Sequence, residues 1–201
     1  MSPCVSTSRP RRQASPGRTV RGQRGFTLIE MMVVVLVIAI VGAMTIFAVQ
    51  AAIPSARGDA AMDAVLSMLR LGRDSAITMR RKIEVRFPSA SQIDIVRIDV
   101  GPAERIIGSA SLEGNTVFML TAGVPDTPDA YGNAAPTDFG GAVIVRFNED
   151  GTMSDGGGVP LNGTVFIGQA AETRAARAVT VTGVTGRAQG YAWDGRAWQE
   201  K

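Results

Sequence analysis

The chain has 201 residues, 45% apolar and 19% charged, enough for one modest domain with an appendage and too apolar for wholesale disorder. It has no histidine, which excludes Ser-His-Asp triads, Cys-His pairs and His-rich zinc sites, and its lone Cys4 excludes an internal disulfide or a thiolate metal cage. The net charge of +3 averages unlike segments: residues 1–25 hold six arginines (Arg9, Arg11, Arg12, Arg18, Arg21, Arg24) and no acid, whereas the remainder holds 15 basic and 18 acidic residues.

After this basic leader, the nineteen residues from Met31 to Val49 carry no charge. At about 1.5 Å per helical residue they cross most of a hydrocarbon core of about 30 Å, which predicts a membrane-spanning helix. The arginines before it place the leader on the cytoplasmic side and the rest of the chain outside the cytoplasm. No small-x-small cleavage pattern closes the apolar run, so the span is expected to stay attached. Arg11-Arg12 lie too far from it for a twin-arginine export signal. Pro54 is expected to kink or break the helix near Ala52 to Ser55.

A second helical pattern follows. Between Asp59 and Lys82, Met62, Val65, Leu69, Gly72, Ala76 and Met79 recur at alternating spacings of three and four, widened by Leu66 and Ile77. The opposite face carries Arg70, Arg73, Asp74, Arg80 and Arg81. Such a stripe needs an apolar partner, most simply a sheet. Period-two segments rich in Val, Ile and Phe supply one at about 83–87, 92–100, 104–112, 115–121, 142–147, 164–168, 177–184 and 187–193. Turn signals separate them at Glu113-Gly114-Asn115, Glu149-Asp150-Gly151, Thr185-Gly186 and Asp194-Gly195. With the helix signal N-terminal and the strand signal C-terminal, the expected class is α+β: a long N-terminal helix packed on a C-terminal antiparallel sheet. Residues 122–140, with three prolines and three aspartates, are expected to form a long exposed loop.

Glu30 stands immediately before the uncharged run, where a carboxylate costs about 2.5–3.5 kcal/mol on insertion scales and calls for a partner. A snorkelling interfacial acid is the bland account. Residues 24–30, however, read Arg-Gly-Phe-Thr-Leu-Ile-Glu between a basic leader and a span. This resembles the processing site of type IV prepilins and type II secretion pseudopilins. The resemblance implies that a prepilin peptidase cuts after Gly25, where the absent side chain suits close approach, and methylates the new amine on Phe26. It also implies that Glu30 of an incoming subunit neutralises the Phe26 ammonium of its neighbour as helices pack in a filament.

The resemblance extends downstream. Leu69-Arg70-Leu71-Gly72-Arg73-Asp74-Ser75-Ala76-Ile77, leading into a strand at Ile83, looks like the helix-to-sheet passage of the GspH/FimT family of minor pilins and pseudopilins. Phe147-Asn148-Glu149-Asp150-Gly151 is similar to its Phe-x-x-x-Gly turn, and Val179-Thr180-Val181 with Thr185-Gly186-Arg187 to its closing strands. A pilin-like fold and a position near the tip of a type IV pilus or secretion pseudopilus are what this implies, with Pro54 later than the proline that kinks many major pilins. The implied partners are the prepilin peptidase, other pilins or pseudopilins, the inner-membrane assembly platform and membrane lipid. The implied location is the inner membrane, with the C-terminal domain in the periplasm.

DNA is a further candidate partner. FimT-type members carry a C-terminal Gly-Arg-x-Arg element linked to DNA uptake, whereas this chain reads Gly186-Arg187-Ala188-Gln189, without the second arginine. The candidate contacts are Arg187, Arg174, Arg177 and Arg196, with Trp193 and Trp198 as stacking candidates. Solvated charge on a strand edge and aromatic core contacts are the simpler accounts. Gly156-Gly157-Gly158 lacks the lysine of a phosphate loop and reads as a flexible linker. Asp126, Asp129 and Asp138 could ligate calcium, although their spacing fits no EF-hand. No catalytic constellation and no cofactor are expected. The organisation read is a cleaved leader 1–25, a membrane and assembly helix 26–53, its amphipathic continuation 54–82 and a sheet domain 83–201.

Overall fold

The structure, a computed structural model, describes residues 25–99 and 104–201, with the side chains of 44–48 and 51 outside the description. The arginine leader and Cys4 lie outside the described residues. The chain divides into two units at Met44 and Thr45. One helix, α1 (Leu28–Met79), crosses that division. In the first unit every described α1 residue from Leu28 to Ala43 is exposed, although nearly all are apolar. Among the described residues no helix is long and apolar enough to cross a membrane; the side chains at 44–48, which belong to the uncharged run from Met31 to Val49, are outside that description.

α1 continues through Pro54, which corrects the break expected there. Proline withholds one N–H, a loss of about 3 kcal/mol in a helix interior. The next turn is tied down from outside, because Arg177 Nη2 donates to both the carbonyl and the hydroxyl of Ser55, at 2.9 Å each. The amphipathic stripe packs as its spacing predicts: Met62, Val65, Leu66, Leu69, Gly72 and Ala76 are buried. Ile77 and Met79, expected on that stripe, are exposed, since the buried face ends with Ala76.

Two antiparallel sheets replace the single sheet expected. The first has the order β3-β2-β1-β6-β7, from β1 (Ile83–Ser89), β2 (Gln92–Ile98), β3 (Glu104–Ser111), β6 (Val145–Phe147) and β7 (Met153–Ser154). The second has the order β11-β10-β9-β8-β4, from β4 (Val117–Phe118), β8 (Gly163–Gln169), β9 (Glu172–Thr182), β10 (Arg187–Trp193) and β11 (Trp198–Glu200), with β5 (Thr137–Asp138) also on β8. Alternation reports which face of a strand is buried, not which strand lies beside it, so the division was not legible. One core serves both sheets: Ile83, Val85, Ile95 and Phe147 of the first and Val165, Ile167, Val179 and Val181 of the second meet Met62, Val65, Leu66 and Leu69 of α1. Each fully buried side chain of this size contributes about 1.5–3 kcal/mol.

The order of contacts fixes how α1 lies on the second sheet. A Cβ on Gly58 would stand 2.7 Å from Ala175 O, and one on Gly190 would stand 2.9 Å from the Met62 sulfur. Arg73 Nε donates to Thr185 O at 3.1 Å. Ser55 therefore marks the end of the domain where β9 begins, and Arg73 the end where β9 turns into β10. Gly186, with φ +60°, is one place where a side chain has no room, because a Cβ there would collide with Gly151 O.

The long loop is not simply exposed. It crosses the face of the second sheet opposite α1 and is held there: Thr180 Oγ1 and Tyr191 Oη donate to Asp129 Oδ2 at 2.6 and 3.0 Å, and Trp198 Nε1 donates to Pro125 O at 3.0 Å. The aromatic cluster of Phe166, Tyr191 and Trp198 gives the loop something to cover. Gly156 to Gly158 belong to a turn rather than a free linker, since Asp155 Oδ1 accepts from the N–H of Gly157 and of Val159.

Candidate processing and assembly site

The helix begins where the motif ends. Thr27 is its N-cap: the Glu30 N–H donates to Thr27 Oγ1 at 3.2 Å, and the Met31 N–H to Thr27 O at 3.2 Å. Thr27-Leu28-Ile29-Glu30 is the sequence of a capping box, in which a hydroxyl satisfies an orphan N–H and an acid three residues on favours the positive helix end. The Thr-x-x-Glu spacing is itself a sequence signal for this cap, distinct from the place of Glu30 beside the apolar run and in the processing motif. Glu30 is thus an exposed acid in the first helical turn.

Gly25 and Phe26 precede the cap in non-helical backbone, and Phe26 is 75% exposed. Gly25 is exposed as well, and no heavy atom beyond its chain neighbours lies within 4 Å of where its Cβ would stand. Cutting after Gly25 would create an ammonium on Phe26, two residues before α1. At the positive end of a helix such a cation would call for a carboxylate, and Glu30 lies in the first helical turn.

The structure does not gather the four arginines weighed as DNA contacts. Arg177 is withdrawn from the surface: its side chain is 2% exposed and all five of its donor hydrogens have acceptors. Nε donates to Asp59 Oδ1 at 2.9 Å, Nη1 to the carbonyls of Arg174 and Ala176 at 2.8 Å each, and Nη2 to Ser55. This corrects its reading as an exposed charge; a buried guanidinium so engaged cannot reach a phosphate. Burial acts to raise the Asp59 carboxyl, but the hydrogen bond and charge of Arg177, helped by Lys201, hold it below the ordinary carboxylate range.

Arg174, Arg187 and Arg196 are exposed. Arg187 pairs in register with Thr182 at the far end of β9 from Arg174, about 26 Å away over eight residues at about 3.3 Å each. Its Nη2 donates to Gln189 Oε1 at 3.0 Å. It also lines a cleft with Asp129 and Glu200, whose acids oppose a phosphate. Trp193 and Trp198 meet edge to face with ring centroids 5.5 Å apart, and Trp198 packs on Phe166.

The three loop aspartates have separate partners: Asp126 and Asp138 hold loop backbone, and Asp129 holds strand hydroxyls. Asp126 accepts from the N–H of Thr127 and Gly132, Asp138 from those of Ala134 and Gly140, and Asp129 from Thr180 and Tyr191. Among the described residues no group of three or more acidic, cysteine or histidine side chains is placed to hold a metal ion. Burial first, and then the Asp129 carboxylate, push the Tyr191 hydroxyl up to about 12.

Residues 20–49 match the family described as the prokaryotic N-terminal methylation motif. The resemblance read from residues 24–30 is borne out by this match. No curated protein matches the chain. Among solved structures, the chain is similar to the type IV minor pilin FimU of Pseudomonas aeruginosa in two crystal forms. These are 18% and 16% identical, with TM-scores of 0.45 and 0.48, over 66% and 70% of this chain and 90% and 91% of theirs. It is likewise similar to the minor pseudopilin EpsH of the Vibrio cholerae type 2 secretion system, 11% identical with a TM-score of 0.45 over 68% of this chain and 97% of that one.

Proposed function

We propose that this chain, which carries an N-terminal methylation motif at residues 20–49, is a minor pilin or pseudopilin subunit processed by a prepilin peptidase. The observation that carries the reading is the coincidence of that motif with an exposed Gly25-Phe26 pair directly before a helix capped by Thr27. The apolar run from Met31 to Val49 serves first as the inner-membrane anchor and then, after extraction, as the packing surface in a type IV pilus or a secretion pseudopilus. The domain carried by the second half of α1 lies in the periplasm, and the subunit sits near the filament tip. The partners are other pilins or pseudopilins and the inner-membrane assembly platform. Catalysis has no part in this; the work is assembly, with Glu30 supplying register and the sheets an outer surface.

The DNA-uptake alternative is the weaker reading, because Arg177 is buried and Arg187 lies far from Arg174. Mass spectrometry of the chain produced with and without a prepilin peptidase tests the leading reading. Loss of residues 1–25 and a methyl group on Phe26, both abolished by Gly25→Val, are expected; an intact leader in the presence of the peptidase overturns it.

A further inference from the structure

The long loop leaves and rejoins the second sheet at one residue. The Met119 N–H donates to Phe166 O at 3.1 Å and the Phe166 N–H to Pro136 O at 2.7 Å, while β4 and β5 pair with β8 on either side of Phe166. A compact excursion whose ends meet in this way is an Ω-loop. We infer that its middle, residues 124–131, is a hinged cover: it swings off the sheet as one body about Gly123 and Gly132, with Asp129 as its latch. The device goes beyond the assembly reading and does not depend on it.

The hydrogen bonds of the excursion fall into two sets. One set is internal: the Val124 N–H donates to Thr121 O, the Ala130 N–H to Thr127 O, and the N–H groups of Thr127 and Gly132 to Asp126. Pro125 and Pro128 stiffen the same stretch. The other set reaches the sheet, and each of its bonds uses a side chain. Trp198 Nε1 donates to Pro125 O at 3.0 Å, Thr180 Oγ1 and Tyr191 Oη donate to Asp129 Oδ2, and the hydroxyls of Tyr131 and Thr182 share a bond at 3.0 Å. Among the described residues no backbone-to-backbone bond joins residues 120–135 to the second sheet. Opening therefore breaks the second set and leaves the first intact.

The flanks and the surface beneath suit such a motion. Gly123 and Gly132 bracket the cover with φ of +80° and +114°, and hinges fall at small residues that absorb backbone rotation. Below the cover, Trp198 packs on Phe166 and Trp193, on strands that pair with one another rather than with the cover. The closed position also carries a cost. Thr121 Oγ1 lines the narrow gap under the cover with Val124, Phe166 and Trp198, and it is buried without a hydrogen-bond partner. Water satisfies that hydroxyl once the cover lifts.

The Trp198 indole N–H, bonded to the cover through Pro125 O, is the reporter. Its hydrogen exchange is followed by NMR in the isotope-labelled full chain in detergent, beside the backbone amides of β9. The indole should exchange about a hundredfold faster than those amides, which need the sheet itself to unfold. Tyr131→Phe removes only the bond to Thr182, yet it should speed Trp198 exchange about fivefold, and Asp129→Asn about tenfold, with β9 unchanged in both. Thr121→Val should slow it, because the closed cover then buries no unpaired hydroxyl. Indole exchange no faster than that of β9 overturns local opening. Wild-type indole exchange in Tyr131→Phe overturns the single body, since the parts would then fray separately. Acceleration of the β9 amides together with the indole overturns the latch, since Asp129 and Tyr131 would then hold the whole domain rather than the cover.

Discussion

Arg177 donates to Asp59 at 2.9 Å and thereby joins residues 118 apart, one on the second strand of a hairpin and one on the helix beneath it. The same guanidinium holds Ser55 in the turn that follows Pro54. One buried cation thus anchors the point at which α1 meets the sheets, where a proline has already removed a bond.

Removing this cation should be costly. Arg177→Met leaves Asp59 with only Lys201, 3.5 Å away, and takes the donor from the carbonyls of Ser55, Arg174 and Ala176, each buried acceptor left unpaired costing about 1–3 kcal/mol. Asp59→Asn should cost less, about 1–3 kcal/mol, because the carboxylate is partly solvated and an amide oxygen still accepts. Urea unfolding of the detergent-solubilised chain checks the order; equal stability of wild type and Arg177→Met would refute the anchor.

Acid should erase the Asp59 contribution. Its carboxyl is held below the ordinary value although burial acts against this. A depressed folded-state value adds stability that is full above the unfolded value, about 4, and lost as pH falls through the folded one. Asp99, Glu104, Asp150 and Asp194 are also held low, so wild type and Asp59→Asn both weaken in acid. The gap between them should nevertheless shrink below about pH 4; a gap that stays constant contradicts the pairing.

Tyr191 should ionise well above the ordinary phenol. Burial and Asp129 push it up to about 12, so the folded state favours the neutral phenol. The associated stability is full below the unfolded value of about 10 and is lost as pH rises towards the folded one. Ultraviolet titration should show one transition near the upper value. Asp129→Asn should lower it without restoring the ordinary value, because burial remains, and should also loosen the covering loop, read as faster amide exchange over residues 125–131.

Glu30→Gln should leave processing intact and abolish incorporation into filaments, since the Phe26 ammonium then enters an apolar packing surface without a counter-charge. Thr27→Val provides the contrast: loss of the cap costs about 1 kcal/mol at the helix start and should spare incorporation. Immunoblots of sheared filaments and membranes separate these outcomes.

The helix and the processing motif were legible because both are local. The apolar run and the three-and-four spacing from Met62 to Ala76 each need only neighbouring residues, and Gly25 to Glu30 is a contiguous string. Strand existence was also legible from alternation, as at Arg187–Trp193, whose bounds agree. What failed was non-local. β9 begins at Glu172 rather than near 177 because pairing with β8 overrides the weak strand preference of Thr-Arg-Ala-Ala-Arg. β7 and β11 are too short to show a period. Arg177 looked like its exposed neighbours because its partners, Asp59 and Ser55, are contributed by a helix more than a hundred residues earlier; only the flanking small residues Ala175, Ala176 and Ala178 hinted at a covered strand.

The cap at Thr27 lies wholly on the C-terminal side of Gly25. A cut there would leave the hydroxyl, the first turn and Glu30 in place, so the helix would have no need to rebuild its beginning. On the proposed reading, maturation would act as a pure change of charge at a finished terminus: six arginines would leave, one ammonium would arrive, and the surface offered to neighbouring subunits would keep its shape.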